Sequence, residues 1–243
     1  MLRRRRFAGR CALTANFHVV LGEQARHGSV GIGRLDARPF RGGGDQGVAA
    51  SNGLLQVAYN YEEGGQRVLL AKPGVDSKGS GAIVSRLGVS RDVDFLIQSD
   101  DDVRLTFAAH AAGDDPDALL KHVDVAHVAC LLVDEAQLLT PTQIDGLFRI
   151  AVEDGEPVIA YGIRTDFRTK ALPAAARLLE IAHALEELKT NCRCGRKALF
   201  NTRRVGDQIV FDGDQAAIEG ADVWHESLCG NCYLEASRGK LGS

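Results

Sequence analysis

The sequence predicts an α/β fold, in which a mainly parallel sheet is covered by helices on both faces. Short, continuously apolar segments alternate along the chain with segments of helical apolar spacing, as strands and their crossover helices do. After Lys189 this spacing stops, and cysteines and glycines become frequent. The change in composition indicates a small, separate C-terminal module.

Four short apolar segments are predicted as buried strands, because turn residues or polar residues bound each of them. They are "RVLLAKP" (67–73), "DFLIQ" (94–98), "ACLLV" (129–133) and "PVIAYG" (157–162). Helical spacing predicts helices from about residue 50 to Gly64-Gly65, after Pro141, and from about Ala174 to Leu188. The helix at Pro141 is expected to begin with a capping box, because Thr140 and Gln143 have the required spacing.

Length and composition exclude several classes of protein. The 243 residues are enough for one sizeable core and a small module, and no apolar run is long enough to span a membrane. The net charge of −3 is unevenly distributed, because residues 1–38 hold eight arginines against Glu23 and Asp36 and the remainder therefore carries −9. An acidic main domain argues against nucleic-acid binding.

The first 40 residues are predicted as a basic extension that is poorly ordered or is a non-native start. A basic beginning followed by "CALTANFHVVLG" resembles a signal or transit peptide, but Asn16 and His18 interrupt the apolar run and no cleavage site follows. The four consecutive arginines could contact nucleic acid or an acidic surface. A solvated tail is the simpler interpretation.

The segment "ACLLVDEAQ" joins a buried strand to two carboxylates. Parallel strands bring such residues to the carboxyl edge of the sheet, where ligands bind. Asp134 can hold Mg²⁺ there, and Glu135 can accept a proton from an attacking group. The alternative is a pair of solvated acids at a strand end.

Four cysteines form a C-x-C pair and a C-x₂-C pair in the C-terminal module. Two thiolate pairs on tight turns suit tetrahedral Zn²⁺, and a full set of four ligands predicts a structural ion. The alternative, two disulfides, requires an oxidising compartment, and nothing in the sequence reliably signals export. The predicted ligands are Cys192, Cys194, Cys229 and Cys232.

These segments resemble the type II thymidine kinases over about residues 44–235. "LLQVAYNYEEGGQRVLLAKPGVD", "LLVDEAQLL", "YGIRTDFR", "LEELKTNCRCGRKALF" and "ESLCGNCY" occur in the family's order. The resemblance implies a P-loop NTPase-like kinase domain over residues 41–188 and a zinc-binding lasso domain over residues 189–243. It also implies a cytoplasmic homotetramer that transfers the γ-phosphate of ATP to the 5′-hydroxyl of thymidine for nucleotide salvage and DNA synthesis.

The resemblance also assigns roles to individual residues. Glu135 matches the catalytic base, and Asp134 matches the acid associated with Mg²⁺. The residues expected to contact ATP and its Mg²⁺ are Gly44, Ser51, Lys78, Asp134 and Gln137. The residues expected to contact thymidine are Phe167, Ile218, Gly220 and His225.

The phosphate-binding loop departs from the family pattern. Where G-x-x-x-x-G-K-[ST] is needed, the chain has "GDQGVAAS", so that Ala49 and Ala50 replace the second glycine and the lysine. Leu138, Leu172 and His225 also depart from the family's aromatic positions. Three hypotheses follow: a thymidine kinase with an impaired loop, a catalytically dead pseudokinase that binds a nucleoside or partner, and a zinc-stabilised interaction protein.

Overall fold

A computed structural model of the chain describes residues 17–22, 47–76, 81–84, 88–113, 127–205, 208–211 and 223–241. Within them the strands, in chain order, are β1 (Phe17–Gly22), β2 (Arg67–Pro73), β3 (Ala82–Val84), β4 (Ser90–Asp92), β5 (Phe95–Ile97), β6 (Val128–Val133), β7 (Val158–Ile163), β8 (Ala184–Glu187), β9 (Phe200–Val205), β10 (Gln208–Val210) and β11 (Val223–Leu228). The helices are α1 (Gly47–Glu63), α2 (Val103–Ala112), α3 (Pro141–Arg149), α4 (Pro173–Ile181) and α5 (Gly230–Ser237).

Six strands form the main sheet, in the order β5-β2-β6-β7-β1-β8. Every neighbouring pair in this sheet is parallel. The carboxyl ends of β6 and β1 both lie beside the end of β7, and they therefore form one edge on which loops can build a site.

Side chains alternate between the two faces of the sheet, so that each face has its own core. Helix α1 covers one face, and its Leu54 and Ala58 pack with Leu70 and Leu132. Helices α2, α3 and α4 cover the other face. Burial on both sides explains why β2 and β6 are continuously apolar, and it confirms the predicted α/β class.

The four strands predicted from apolar runs are confirmed as β2, β5, β6 and β7, with small shifts at their ends. The capping box is confirmed as well, because Gln143 N–H donates to Thr140 Oγ1 (3.2 Å) and Thr140 N–H donates to Gln143 Oε1 (3.0 Å). The Nε2 of Gln143 also donates to the carbonyl of Gln98 (2.6 Å). This bond ties the start of α3 to the end of β5.

The expectation of poor order over residues 1–40 is wrong for Phe17–Gly22, which form β1 inside the main sheet, whereas a non-native start stays a prediction. His18, the residue that interrupts the apolar run in the sequence, is only partly buried, whereas Phe17 and Val19 are fully buried. A strand in the middle of a sheet tolerates one polar residue near its end. The parallel sheet therefore includes a strand that lies nearer the N-terminus than the composition of the sequence indicates.

The prediction of a helix from Ala174 to Leu188 is wrong beyond Ile181. Helix α4 ends there, and Ala184–Glu187 form the edge strand β8, which pairs with β1. The residues "ALEE" have high helix propensity, but the open side of β1 offers backbone hydrogen bonds that outweigh this weak preference. Leu185 is half exposed, as is common on an edge strand.

The C-terminal module consists of an antiparallel sheet in the order β10-β9-β11 and helix α5. Tyr233 is its central side chain, packed between Phe200 and Phe211. The Tyr233 hydroxyl donates to the carbonyl of Phe167 (2.9 Å), and Asn201 Nδ2 donates to that of Thr165 (3.0 Å). The module is thereby attached to the loop that follows β7.

Among the described residues, no helix combines the length and the apolar character that crossing a lipid bilayer requires.

Candidate active site and metal centre

The two predicted carboxylates lie at the carboxyl edge of the main sheet, immediately after β6. Asp134 is buried, and its N–H donates to the carbonyl of Ala71 on β2 (2.9 Å). Ser51, in the first part of α1, places its hydroxyl 3.5 Å from Asp134 Oδ2. The structure thus brings together the serine and the aspartate that were predicted to share a magnesium ion.

Glu135 is held in an unusual conformation beside them. Its backbone is left-handed (φ 48°, ψ 36°), which is uncommon for a residue with a side chain and is typical of functional sites. The Nε2 of Gln137 donates to the Glu135 carboxylate. The Oε1 of Gln137 accepts from the N–H of Ile163 at the end of β7 (3.1 Å). Gln137 therefore fixes the direction of the Glu135 carboxylate relative to the sheet.

Close packing around Gln137 restricts what can replace its neighbour Gly162. A Cβ atom built on Gly162 would lie 2.6 Å from Gln137 Oε1, which is far too close for two non-bonded atoms. The glycine thus leaves the space in which the amide of Gln137 turns toward both Glu135 and Ile163. This is a steric requirement, and it explains the glycine in "PVIAYG".

Lys72 and Asp76 form a buried ion pair next to this edge. The Lys72 side chain is almost fully buried, its Nζ lies 3.0 Å from Asp76 Oδ2, and it donates to the carbonyl of Ala82 (3.3 Å). The register of β2 and β6 places Lys72 beside Asp134. The sequence analysis missed this pair, although a lysine that ends an apolar strand is an identifiable signal.

Burial and then the neighbouring Glu135 raise the pKa of Asp134 from 3.8 to about 7, against the opposing effect of Lys72. A buried carboxylate surrounded by acids favours its protonated form. A divalent cation would compensate the same charge. Oxygen ligands from Asp134 and Ser51 fit Mg²⁺, which prefers one or two protein oxygens together with water and phosphate.

Replacing Asp134 by asparagine is expected to raise the melting temperature of the metal-free protein by about 5 °C at about pH 8. Between pH 3.8 and about 7, Asp134 is protonated in the native state but ionised in the unfolded state. Above about pH 7 the buried side chain is ionised in the native state as well, and this charge lowers the free energy of unfolding. The gain should shrink as the pH falls below about 7 and vanish near 3.8. Thermal unfolding across this range measures it.

Asp145→Asn is the matched control, because Asp145 is exposed and pairs with Arg177 at the surface. It should give no gain at any pH. A stabilisation by Asp134→Asn that is equal at low and high pH would contradict the account of Asp134.

Phe167 lies in a tight turn after β7 and is buried. Asp166 shapes this turn by accepting from the N–H groups of Arg168 (2.8 Å) and Lys170 (2.9 Å). The guanidinium groups of Arg168 and Arg203 lie 5.4 and 5.5 Å from the centre of the Phe167 ring. Both cations are thus within the distance of a cation–π interaction with the ring.

His225 lies on β11 directly opposite Arg203 on β9. The predicted thymidine-contacting residues Phe167 and His225 are thus connected through Arg203, a buried arginine that the sequence analysis missed. No spacing rule identifies it, because the contact depends on how β9 meets the loop after β7.

Several predicted residues lie outside the described part of the chain. These are Gly44, Lys78, Ile218 and Gly220. Lys72 is moreover the first lysine of the whole sequence.

The four predicted zinc ligands meet at one point of the C-terminal module. The sulfur atoms of Cys192, Cys194, Cys229 and Cys232 all lie within 4.8 Å of one another, and none of these cysteines forms a disulfide. Tetrahedral zinc with bonds of about 2.3 Å separates its sulfur ligands by about 3.8 Å. The Sγ atoms of Cys194 and Cys229 are 3.5 Å apart, so the cluster fits zinc.

Two of the thiols have opposite pKa shifts. The pKa of Cys229 is lowered to about 7, mainly by a hydrogen bond from the backbone N–H of Cys232. The pKa of Cys232 is raised to about 12 by burial and by the neighbouring thiols. Metal binding to such a set releases protons, so its affinity should fall as the solution becomes more acidic.

The purified protein is expected to contain one zinc ion per chain, and Cys192→Ser is expected to lose it. The module has a small apolar core around Tyr233, so metal loss should expose it to protease before the main sheet unfolds. Elemental analysis and limited proteolysis measure the two effects. Cys130→Ala is the control, because Cys130 lies in the main sheet and should leave the zinc in place.

A zinc content far below one ion per chain in the unaltered protein would contradict this assignment.

The comparison with known proteins agrees with this geometry. The family model for thymidine kinase matches residues 48–233, from the first turn of α1 to Tyr233. This chain belongs to the thymidine kinase family. Residues 17–46, which include β1, lie outside the matched range.

Curated thymidine kinases are similar over most of their length. That of Chromobacterium violaceum is 39% identical over 185 residues, which are 75% of this chain and 90% of the relative. That of Idiomarina loihiensis is 42% identical over 190 residues, covering 76% of this chain and 90% of the relative. That of Legionella pneumophila strain Paris is 38% identical over 191 residues, or 78% and 84%.

Proposed function

We propose that this member of the thymidine kinase family transfers the γ-phosphoryl group of ATP to the 5′-hydroxyl of thymidine, at a rate limited by its altered phosphate loop. The observation that carries the proposal is the grouping of Ser51, Asp134 and Glu135 at one edge of the sheet. Their separate roles in holding a cation and accepting a proton are those that this reaction requires.

In the proposed reaction, the Glu135 carboxylate accepts the proton of the 5′-hydroxyl as its oxygen attacks the γ-phosphorus. The bond between that phosphorus and the bridging oxygen breaks, and ADP leaves with the electron pair. Gln137 keeps Glu135 directed toward the hydroxyl through their hydrogen bond. Gln137 is therefore proposed as a positioning residue, in place of the ATP contact predicted from the sequence.

Asp134 and Ser51 would hold Mg²⁺, which neutralises phosphate charge when bound. Lys72 forms an ion pair with Asp76 beside them. Its positive charge reduces the electrostatic repulsion among the carboxylates of Asp76, Asp134 and Glu135. A homotetramer and a cytoplasmic location, both implied by the resemblance to the family, belong to the same proposal.

A second candidate is a pseudokinase that binds thymidine without turnover. It is favoured by the absence of any lysine before Lys72. A lysine in the loop neutralises charge that develops during phosphoryl transfer, so its loss lowers the rate more than it lowers nucleoside binding.

A coupled assay of ADP release with purified protein, with and without thymidine, distinguishes the two. Thymidine-dependent release that disappears in Glu135→Gln supports the kinase. Thymidine binding by calorimetry without any turnover supports the pseudokinase, and the absence of both would contradict each of them.

A further inference from the structure

The C-terminal module contains a cavity that has no part in the site described above. It has a volume of about 650 Å³ and lies between the β9–β10 hairpin and the end of α5. Ile209 and Phe211 contribute an apolar wall. None of its lining residues belongs to the edge that carries Asp134 and Glu135.

Four cations line this cavity: Arg193, Arg204, Arg238 and Lys240. Of these, Arg204 is paired, because its Nε and Nη2 atoms lie 2.9 Å from a carboxylate oxygen of Glu226. The same carboxylate also attracts Arg193, so Arg238 and Lys240 are the two lining cations for which Glu226 does not compensate. No carboxylate is among the described residues that line the cavity. The cavity is thus strongly cationic in a chain whose net charge is −3.

Helix geometry explains only part of this charge. Arg238 and Lys240 follow the C-terminal end of α5, where cations complement the helix dipole. Arg193 and Arg204 lie on other segments and face the same space. Convergence of cations from three separate segments on one cavity is what anion-binding sites have in common.

We propose that this cavity binds a small phosphorylated anion of the diphosphate or triphosphate class. Guanidinium groups match the oxygen spacing of phosphates in a bidentate manner, and a cavity of this size holds a ligand as large as a nucleotide. The ring of Phe211 offers a face for a base, if the phosphates belong to a nucleotide. This site is independent of the proposed kinase reaction.

Tyr233 joins the wall of the cavity to the turn that contains Phe167. The Phe211 ring packs edge-on against Tyr233, with centroids 5.8 Å apart, and the Tyr233 hydroxyl holds the Phe167 carbonyl. Trp224, the only tryptophan of the sequence, pairs with Arg204 across β11 and β9. As the single tryptophan of the sequence, it gives one fluorescence signal, from the strand next to β9.

The test is a titration of the full chain with pyrophosphate, without Mg²⁺, followed by Trp224 fluorescence and by calorimetry. A second series uses uridine triphosphate to tell whether the cavity suits a free polyphosphate or a nucleotide. If uridine triphosphate binds no more tightly than pyrophosphate, the ligand is a free polyphosphate. If it binds more tightly, the ligand is a nucleotide. The double variant Arg238→Gln, Lys240→Gln is expected to weaken binding at least about tenfold. Its zinc content and melting temperature establish that the module remains folded.

Two controls separate this site from other causes of anion binding. Lys189→Gln with Arg196→Gln removes the same charge from exposed positions outside the cavity and should leave the affinity unchanged within about twofold. Ser51→Ala alters the candidate active site and should also leave it unchanged. Binding that falls equally in both double variants, or that is lost in Ser51→Ala, would overturn the proposal.

An absence of pyrophosphate binding would overturn it as well. Residues 212–222 follow Phe211 and hold four acids and no basic residue. A chain that satisfies the four cations with its own carboxylates would give that result.

Discussion

Replacing Glu135 by glutamine is expected to lower thymidine phosphorylation by about 10²–10⁴-fold, with little change in the thymidine KM. Glutamine keeps the length of the side chain and can still accept from Gln137 through its amide oxygen. It cannot accept the proton of the 5′-hydroxyl at neutral pH. The loss should therefore appear in kcat, because only the transition state uses the base.

Glu153→Gln is the matched control, because Glu153 is an exposed carboxylate beyond the C-terminal end of α3, where it pairs with Arg104 and Arg149. Its activity should equal that of the unaltered chain. Undiminished turnover by Glu135→Gln would show that another group accepts the proton.

Restoring glycine at position 49 and lysine at position 50 is expected to raise the rate of phosphorylation by about 10²–10³-fold, the usual effect of one electrostatic contact to the transition state. Both positions lie in the first turn of α1, directly before Ser51, whose hydroxyl faces Asp134. A lysine at position 50 would be the direct neighbour of Ser51, the serine proposed to hold Mg²⁺. The coupled assay measures the gain.

Ala49→Gly with Ala50→Gln is the control for this pair of substitutions. It supplies the small residue and a long polar side chain but no charge, so it should give only a small part of the gain. Equal gains in both double variants would assign the effect to backbone freedom at position 49. No gain in either would contradict the prediction that the residues at positions 49 and 50 limit the rate.

Elements that bury a regular apolar pattern were predictable from the sequence. Strands β6 and β7 and the centre of β2 are apolar because both faces of the sheet are covered, and the capping box at Thr140 is encoded within four residues. The four zinc ligands were predictable for a similar reason. Their spacing predicts two pairs of thiolates, each pair close together along the chain, and the four sulfur atoms do meet at one point.

Elements that depend on distant partners were not predictable in this way. Strand β1 carries a histidine and follows a basic segment, and only its place between β7 and β8 makes it a sheet strand. Strand β8 has helix-forming residues, and β1 determines its conformation. Both errors arise because pairing with another strand outweighs a local preference.

In the candidate site, too, the residues that follow a local pattern were predictable, and those that depend on distant contacts were not. Asp134 and Glu135 were identified because they follow a buried strand directly. Gln137 was assigned to ATP, whereas its contacts with Glu135 and Ile163 depend on how β6 and β7 end side by side. Arg203 reaches Phe167 from another sheet, and no local sequence pattern encodes such a contact.

The central claim is that the edge carrying Ser51, Asp134 and Glu135 belongs to a kinase whose phosphate loop is impaired. Calorimetric titration of the unaltered chain with ATP and Mg²⁺, and separately with thymidine, tests it most directly. The account predicts measurable thymidine binding, weak ATP binding, and at least about tenfold tighter ATP binding after Ala49→Gly with Ala50→Lys. Tight, Mg²⁺-dependent binding of ATP by the unaltered chain would contradict it, because other groups would then supply the missing charge.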